Sequence, residues 1–324
     1  VFVLVTNILI SAAAKKRYPY IADKNTEKLS KTEIQSLSKN IKALTVTKLS
    51  GILVNNTDNI VITYFNGLIT TGVVSNYSLI TNTITSLVNQ VFTSLSASLG
   101  NLNAVGDAEQ KYCVFKALNL ANFWLYGWAA IGIVCLSNDV ITLFFGSTYV
   151  MGLRIPIILA VNFYMLGMQC VVGLYKSTMG LFRYGQYVLL FTAALNLIGD
   201  ILLGRLWGVF GIFLATALAR AFTNTWYEPF VIFKHGFHLN FASYIARYLL
   251  YACILVVTCG LCYAMCQMVE FSSVPRIIVK CLICIVVPNV IFILFFSKTG
   301  EFHYLLKAAN MLKDKVITRL KRRA

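Results

Sequence analysis

The sequence predicts an all-α integral membrane protein with about nine transmembrane segments, the first of them truncated. Composition is the first observation. Hydrophobic residues make up 58% of the chain and charged residues only 12%, whereas soluble domains carry about 25% charged residues. The mean hydropathy of +0.73 agrees. The second is a series of apolar runs, each near the 20 residues that cross a hydrocarbon core of about 30 Å. They lie at 43–65, 71–97, 114–137, 153–175, 185–204, 207–230, 247–268 and 276–296. Third, the formal net charge of +16 is carried mainly by alternate loops and the tail, which fixes one orientation by the positive-inside rule. A nucleic-acid binder would share the basic excess but not its dispersal into short loops.

The chain opens at Val1 inside an apolar run without an initiator Met, so it reads as lacking its natural N-terminus, and 1–13 reads as the end of a cut helix. Lys15, Lys16 and Arg17 begin a basic linker over 14–42, in which Lys24, Lys28, Lys31, Lys39 and Lys42 outnumber Asp23, Glu27 and Glu33. This places the linker in the cytoplasm. Ser30 and Glu33 have capping-box spacing, and Ile34, Leu37, Ile41 and Leu44 recur at helical intervals. An interfacial amphipathic helix is expected there.

The run 43–65 holds Asp58 among Asn55, Asn56 and Asn59. An ionisable group at membrane depth costs about 2.5–3.5 kcal/mol on insertion scales and faces a bundle interior or a watery cavity. Two readings stand: Asn residues that join helices by hydrogen bonds, or a polar transport path. The next run adds Asn76 and a stripe of Asn82, Thr85, Ser86 and Asn89 at spacings of three and four. Such small polar residues suit close packing as well as a hydrated wall. Later runs contribute Asn162, Asn196, Thr216, Arg220 and Asn224, the last two expected on one face with Thr216. Snorkelling of Arg220 toward the cytoplasm is the alternative to a cavity role. Asp200, Arg205 and Glu228 fall near expected helix ends, where interfacial solvation accounts for them. Pro156, Gly167, Gly173 and Pro288 mark either structural kinks or broken helices.

Alternating the spans puts Lys111, Lys116, Lys176, Arg183, Lys234 and Arg247 in cytoplasmic loops and leaves chiefly Arg154, Arg205 and Arg276 outside. The segment 231–297 supplies two additional transmembrane helices. In the tail, 298–324, Phe302, Leu305, Ala309, Leu312, Val316 and Leu320 recur among Lys307, Lys313, Lys315, Arg319, Lys321, Arg322 and Arg323. That pattern suits a helix lying on anionic membrane lipids, or one packed on a partner helix. Nine cysteines, among them Cys259, Cys262, Cys266, Cys281 and Cys284 with apolar neighbours, read as small core residues. Neither they nor His235, His238 and His303 give a metal expectation. No P-loop, dinucleotide fingerprint or nucleophile elbow is visible, so no cofactor and no enzymatic activity are expected.

The run TDNIVITYFNGLITTGVVSNYSLI, then SASLGNLNA, NFYMLGMQCVVGLYKSTMGLF and NLIGDILLGRLWGVFGIFLATALA together resemble the polysaccharide flippases of bacterial envelopes. These form the oligosaccharide branch of the multidrug/oligosaccharidyl-lipid/polysaccharide exporter superfamily. The resemblance implies the C-terminal half of a two-lobed, roughly fourteen-helix exporter fold, with 43–230 as a six-helix lobe. It further implies that undecaprenyl-pyrophosphate-linked oligosaccharide is moved across the bacterial inner membrane by alternating access, beside polysaccharide polymerase and glycosyltransferases. On that reading Asp58, Asn55, Asn59, Asn76, Asn82, Asn162, Arg220 and Asn224 line the substrate path, and Lys48, Lys176 and Arg220 attract pyrophosphate. Two rivals are a multidrug or cation antiporter of the same superfamily, with a carboxylate coupling site, and a membrane glycosyltransferase or polysaccharide polymerase.

Overall fold

Gly67 and Gly208 take backbone angles that L side chains rarely adopt, φ 82°, ψ 166° and φ 57°, ψ −138°, and each folds a long helix back on itself. The computed structural model describes residues 2–22, 30–185, 187–270 and 273–321, without side-chain detail at 2, 21–22, 55–56, 273, 312 and 315–321. The expected linker charges Asp23, Lys24, Glu27 and Lys28, the side chains of Asn55 and Asn56, and the tail side chains Leu312, Lys315, Val316, Arg319, Leu320, Lys321, Arg322 and Arg323 lie outside the described residues.

The chain divides into two units, 1–42 and 43–324. In the first, helix α1 (Phe2–Arg17) extends through the basic cluster that was expected to end it. The capping box forms: Ser30 N donates to Glu33 Oε2 at 2.8 Å, Ser30 Oγ to the same oxygen at 2.7 Å, and Glu33 N to Ser30 Oγ at 3.3 Å. These bonds hold the exposed Glu33 carboxyl below its usual range. They start helix α2 (Lys31–Thr93), whose residues from 43 onward belong to the second unit.

In α2, Thr63 Oγ1 lies 2.9 Å from Thr71 Oγ1. Eight residues along an unbroken helix would be about 12 Å apart, so the chain reverses at Gly67. After the short α3 (Ser96–Val105) come α4 (Ala108–Phe145) and α5 (Arg154–Thr178). Helix α6 (Val188–Phe222) is a second hairpin, turning at Gly208. A Cβ on Gly211 would stand 2.0 Å from the Leu203 carbonyl oxygen, and one on Gly199 2.8 Å from Ala215 Cβ. Small residues thus let the two legs meet backbone to backbone. Then follow α7 (Asn224–Ile232), α8 (Ala242–Gln267), α9 (Ser273–Phe296) and α10 (Gly300–Lys321).

Two cores hold the second unit. One joins α4, α5, α8 and α9 around Phe123, Tyr251 and Phe292, and the other joins α2, α5 and α6 around Ile62, Tyr77, Ile158 and Ile212. Helices α4 and α5 cross at Gly167, where a Cβ would fall within the Tyr126 ring and where Asn122 Nδ2 donates to the Gly167 carbonyl at 2.9 Å. Large apolar side chains such as Val256, Val257, Leu294 and Phe295 face outward. Apolar patches that extensive are rare on soluble monomers and suit contact with lipid.

Several expectations change. Five helices among the described residues are long and apolar enough to cross a membrane, fewer than the nine or so segments expected from hydropathy. The shortfall has a physical source: the polar residues of α2 keep its legs below that threshold, and the stretch Val188–Phe237 counts once although Gly208 divides it. Gly167 and Gly173 do not interrupt α5, Pro156 sits in its first turn, where a missing N–H costs nothing, and α9 runs on through Pro288. The start of α10 packs on the bundle, with Glu301 reaching Lys116 at 3.8 Å and Arg247 at 3.3 Å, and Phe302 stacked on Trp124.

Candidate functional site: a polar cavity with paired carboxylates

A cavity of about 430 Å³ opens between both legs of α2, α5 and the second leg of α6. Its walls carry Asp58 and Asn59 from the first leg of α2, Thr81, Asn82 and Thr85 from the second, Asn162 from α5, and Thr216 and Arg220 from α6. Hydrophobic periodicity explains the arrangement. Much of each helix's apolar surface turns to lipid or to the two cores, and the inward faces combine small polar residues with Leu159, Phe163, Leu166 and Phe213.

The centre of the site is a bonded chain of four side chains. Thr216 Oγ1 donates to Asp58 Oδ2 at 3.1 Å. Asn196 Nδ2 donates to Thr216 Oγ1 at 3.0 Å and to Asp200 Oδ1 at 2.9 Å. Asp200 and Asn196 are completely buried, and the Asp58 and Asp200 carboxyl groups lie within interaction range of each other. Asp58 Oδ1 and Asp200 Oδ2 are buried without a hydrogen-bond partner among the described residues. Two facing carboxylates out of water repel each other strongly, so such a pair holds a shared proton or an oxygen-seeking cation between its members. The donor set suits either. Oxygens of Asp58, Asp200 and Thr216 converge, while Asn196 turns its Nδ2 toward them and its Oδ1 toward Thr57 Oγ1 at 3.5 Å. Hard cations favour carboxylate oxygens of this kind.

Arg220 borders the pair. Its guanidinium is buried, donates from Nη1 to the Asn162 carbonyl at 3.4 Å and feels the Asp58 charge. It does not snorkel. Asn162 in turn donates to the Phe213 carbonyl at 2.8 Å, tying α5 to α6 and fixing the carbonyl that Arg220 uses.

Of the residues expected on the path, the cavity gathers Asp58, Asn59, Asn82, Asn162 and Arg220. Asn76 is half-buried on the same helix but lies away from it. Asn224 also stands apart, because the helix breaks at Thr223 (φ −125°, ψ −86°) and takes it off the Thr216–Arg220 face; it accepts from Thr192 at 3.2 Å instead. Lys48 is exposed outside the cavity, and Lys176 is engaged by Glu228, whose two carboxylate oxygens lie 2.8 and 2.7 Å from its Nζ. The polar stripe of α2 divides, since Asn89 accepts from Tyr126 at 2.7 Å in the packed interior.

Asp200 is the correction that matters most. Interfacial solvation was expected for it, yet the hairpin of α6 buries it against Asn196 and Asp58. The signal in the sequence was the spacing Asn196–Asp200, one helical turn on one face. Glu228 likewise finds a partner in place of solvent.

A similar solved structure is "Lipid II flippase MurJ, inward closed conformation", at 14% sequence identity and a TM-score of 0.52 over 79% of this chain and 52% of that one. The fold is MurJ-like. At this identity the likeness extends to the fold alone, and the chain spans about half the length of the matched structure. No protein-family profile matches the chain, and no curated protein matches it.

Proposed function

We propose that the chain is one lobe of a flippase that moves undecaprenyl-pyrophosphate-linked oligosaccharide repeat units across the bacterial inner membrane, coupled to a proton or cation held by Asp58 and Asp200. It makes and breaks no covalent bond. The observation that carries this reading is the polar cavity itself, with the buried Arg220 guanidinium and Asp58 on its wall and the buried Asp200 behind Asp58. Its amide and hydroxyl walls suit sugars. The forked donors of Arg220 suit a pyrophosphate, and charge-assisted bonds of that kind are about twice as strong as neutral ones. A prenyl tail needs an apolar route, and the opposite face of α5 borders one: a cavity of about 530 Å³ lined by Ile157, Val161, Tyr164, Val256 and Tyr263. The structural neighbour's name, a lipid II flippase, supports a lipid-borne cargo. Rocking of one lobe against a second would alternate access to the cavity.

The carboxylate pair also favours the rival, an ion-coupled antiporter of the same superfamily. One experiment separates them. Arg220→Ala and Arg220→Lys are introduced into the full-length protein in a strain lacking its own repeat-unit flippase, and surface polysaccharide is measured at equal protein abundance. Arg220→Ala should abolish export and Arg220→Lys should keep part of it, since charge survives and the fork is lost. Undiminished export by Arg220→Ala would remove the pyrophosphate role. Failure of the unaltered protein to restore any polysaccharide, together with drug resistance on its expression, would favour the antiporter.

A further inference from the structure

Three cysteines from three different helices meet in the apolar interior away from the polar cavity. Cys135 of α4, Cys266 of α8 and Cys284 of α9 have Sγ atoms all within 4.8 Å of one another, and each is buried. The sequence reading singled out Cys266 and Cys284 within a wider set; helix packing selects these two and adds Cys135, which lies far from them in sequence. Helices α8 and α9 are the pair added after 230, so the thiols join that pair to α4.

We propose that Cys135, Cys266 and Cys284 form a trigonal thiolate site for a soft monovalent cation, copper(I). The geometry is close to what such a site needs. With metal–sulfur bonds of about 2.3 Å, the three sulfurs of a planar trigonal site lie about 4.0 Å apart, so little movement closes the site. All-sulfur donors select copper(I), zinc or iron–sulfur clusters. Structural zinc is nearly always four-coordinate, and no fourth His, Cys, Asp or Glu belongs to the group among the described residues, which favours the ion content with three ligands.

The surroundings supply what a bare trio of thiols lacks. Binding replaces thiol protons with the cation and leaves excess negative charge on sulfur. One helical turn from Cys284 stands Lys280, and one turn from Cys135 stands Asp139; Lys280 Nζ meets Asp139 Oδ2 at 2.6 Å. The Lys280 ammonium is close enough to influence Cys266 and Cys284 electrostatically. On the other side of Cys284, its carbonyl accepts from Trp128 Nε1 at 2.8 Å, locking α9 to α4. Groups that tie the ligand-bearing helices together in this way belong to the surroundings of a metal site. A polar cavity of about 340 Å³ lined by Cys266, Glu270, Arg276 and Lys280 gives an ion a way in.

The inference is independent of the transport reading, and so is its test. The full-length protein is purified in detergent under anaerobic, reducing conditions and titrated with copper(I) against a chromogenic copper(I) chelator. One copper(I) per chain is expected, with an X-ray absorption signature of three sulfur neighbours. Cys135→Ala, Cys266→Ala and Cys284→Ala should each lose stoichiometric binding, whereas Cys113→Ser and Cys253→Ser, at exposed positions, should retain it. Because a buried variant can fail to fold, the unaltered protein is also treated with N-ethylmaleimide in mild denaturant, with and without copper(I). Protection confined to Cys135, Cys266 and Cys284, read by mass spectrometry, supports the site. Unchanged binding in the three variants, protection at other cysteines, a disulfide between two of the three thiols in the reduced protein, or preference for zinc(II) with a non-sulfur ligand would each overturn it.

Discussion

Asp58 Oδ1 and Asp200 Oδ2 point to what the site binds, because each is buried and neither has a donor among the described residues. Replacing either acid by Asn removes one charge and puts an amide donor where the proton or cation would sit. A ligand that binds only the folded state stabilises it by about 2.7 kcal/mol at a hundredfold excess over its dissociation constant. The thermal midpoint of the purified protein should therefore shift with sodium concentration at constant ionic strength, or with pH if the ion is a proton. Asp58→Asn and Asp200→Asn should each flatten that dependence without unfolding the protein. A midpoint that responds to neither, or that responds equally in both variants, would rule out a coupling ion at this pair. Asp58 was legible in the sequence because an acid inside an apolar run has few places to go. Asp200 was not, since near the end of an expected span interfacial water accounts for an acid equally well. Only the turn at Gly208 brings its helix leg against Thr216 and gives it an interior neighbour. Arg220 shows the reverse case, with its depth readable and its Asn162 carbonyl partner set by tertiary packing alone.

The two hairpins make the site possible, and glycine makes the hairpins possible. In α6 the contact between Gly211 and the Leu203 carbonyl leaves no space for a methyl group, and the obstacle is backbone, which cannot move aside as a side chain can. Gly211→Ala should thus force the legs apart and stretch the Asn196–Thr216 bond, at a cost of the order of the 1–3 kcal/mol typical of overpacking. Gly100→Ala in α3, where an added Cβ meets nothing within 4 Å, is the matched control. It should leave stability unchanged or slightly raised, since Ala is the better helix former. Thermal melting of both variants in detergent checks this, and equal midpoints would mean that the α6 legs do not depend on close approach. The expected spans at 185–204 and 207–230 met within a few residues of Gly208, and those at 43–65 and 71–97 flanked Gly67. Hydropathy located the turns because apolar runs lapse there. It carried no sign of the tight backbone contact, which depends on which glycines meet across the hairpin.

At the scale of the molecule, the turns settle a parity that the charges can test. If Gly67 and Gly208 reverse the chain, the connections at 94–107, 179–185, 233–241 and 297–299 share one face, and those at 67, 146–153, 208 and 268–270 share the other. The first face carries Lys111, Lys116, Lys176, Arg183, Lys234, Arg247 and Lys298 at or near its helix ends. The second has Arg154, Arg205, Arg276 and Lys280. By the positive-inside rule that asymmetry predicts a cytoplasmic first face, and the prediction needs both hairpins: counting α6 as one span would put Lys234 and Arg247 on the opposite side from Lys176 and Arg183. Reporter fusions to the full-length protein should follow the hairpin count. Alkaline phosphatase joined after residue 150 or 270 should be active, and joined after 184, 238 or 298 inactive, while a cytoplasm-dependent fluorescent fusion at the same points should give the complementary pattern. Positions 184 and 238 are decisive because they lie on either side of the α6 hairpin. Opposite reporter activities at those two points would mean that the chain crosses the membrane an odd number of times between them. The legs of α6 would then not form a re-crossing pair, and the Asp58–Asp200 cavity would lose the wall that buries it.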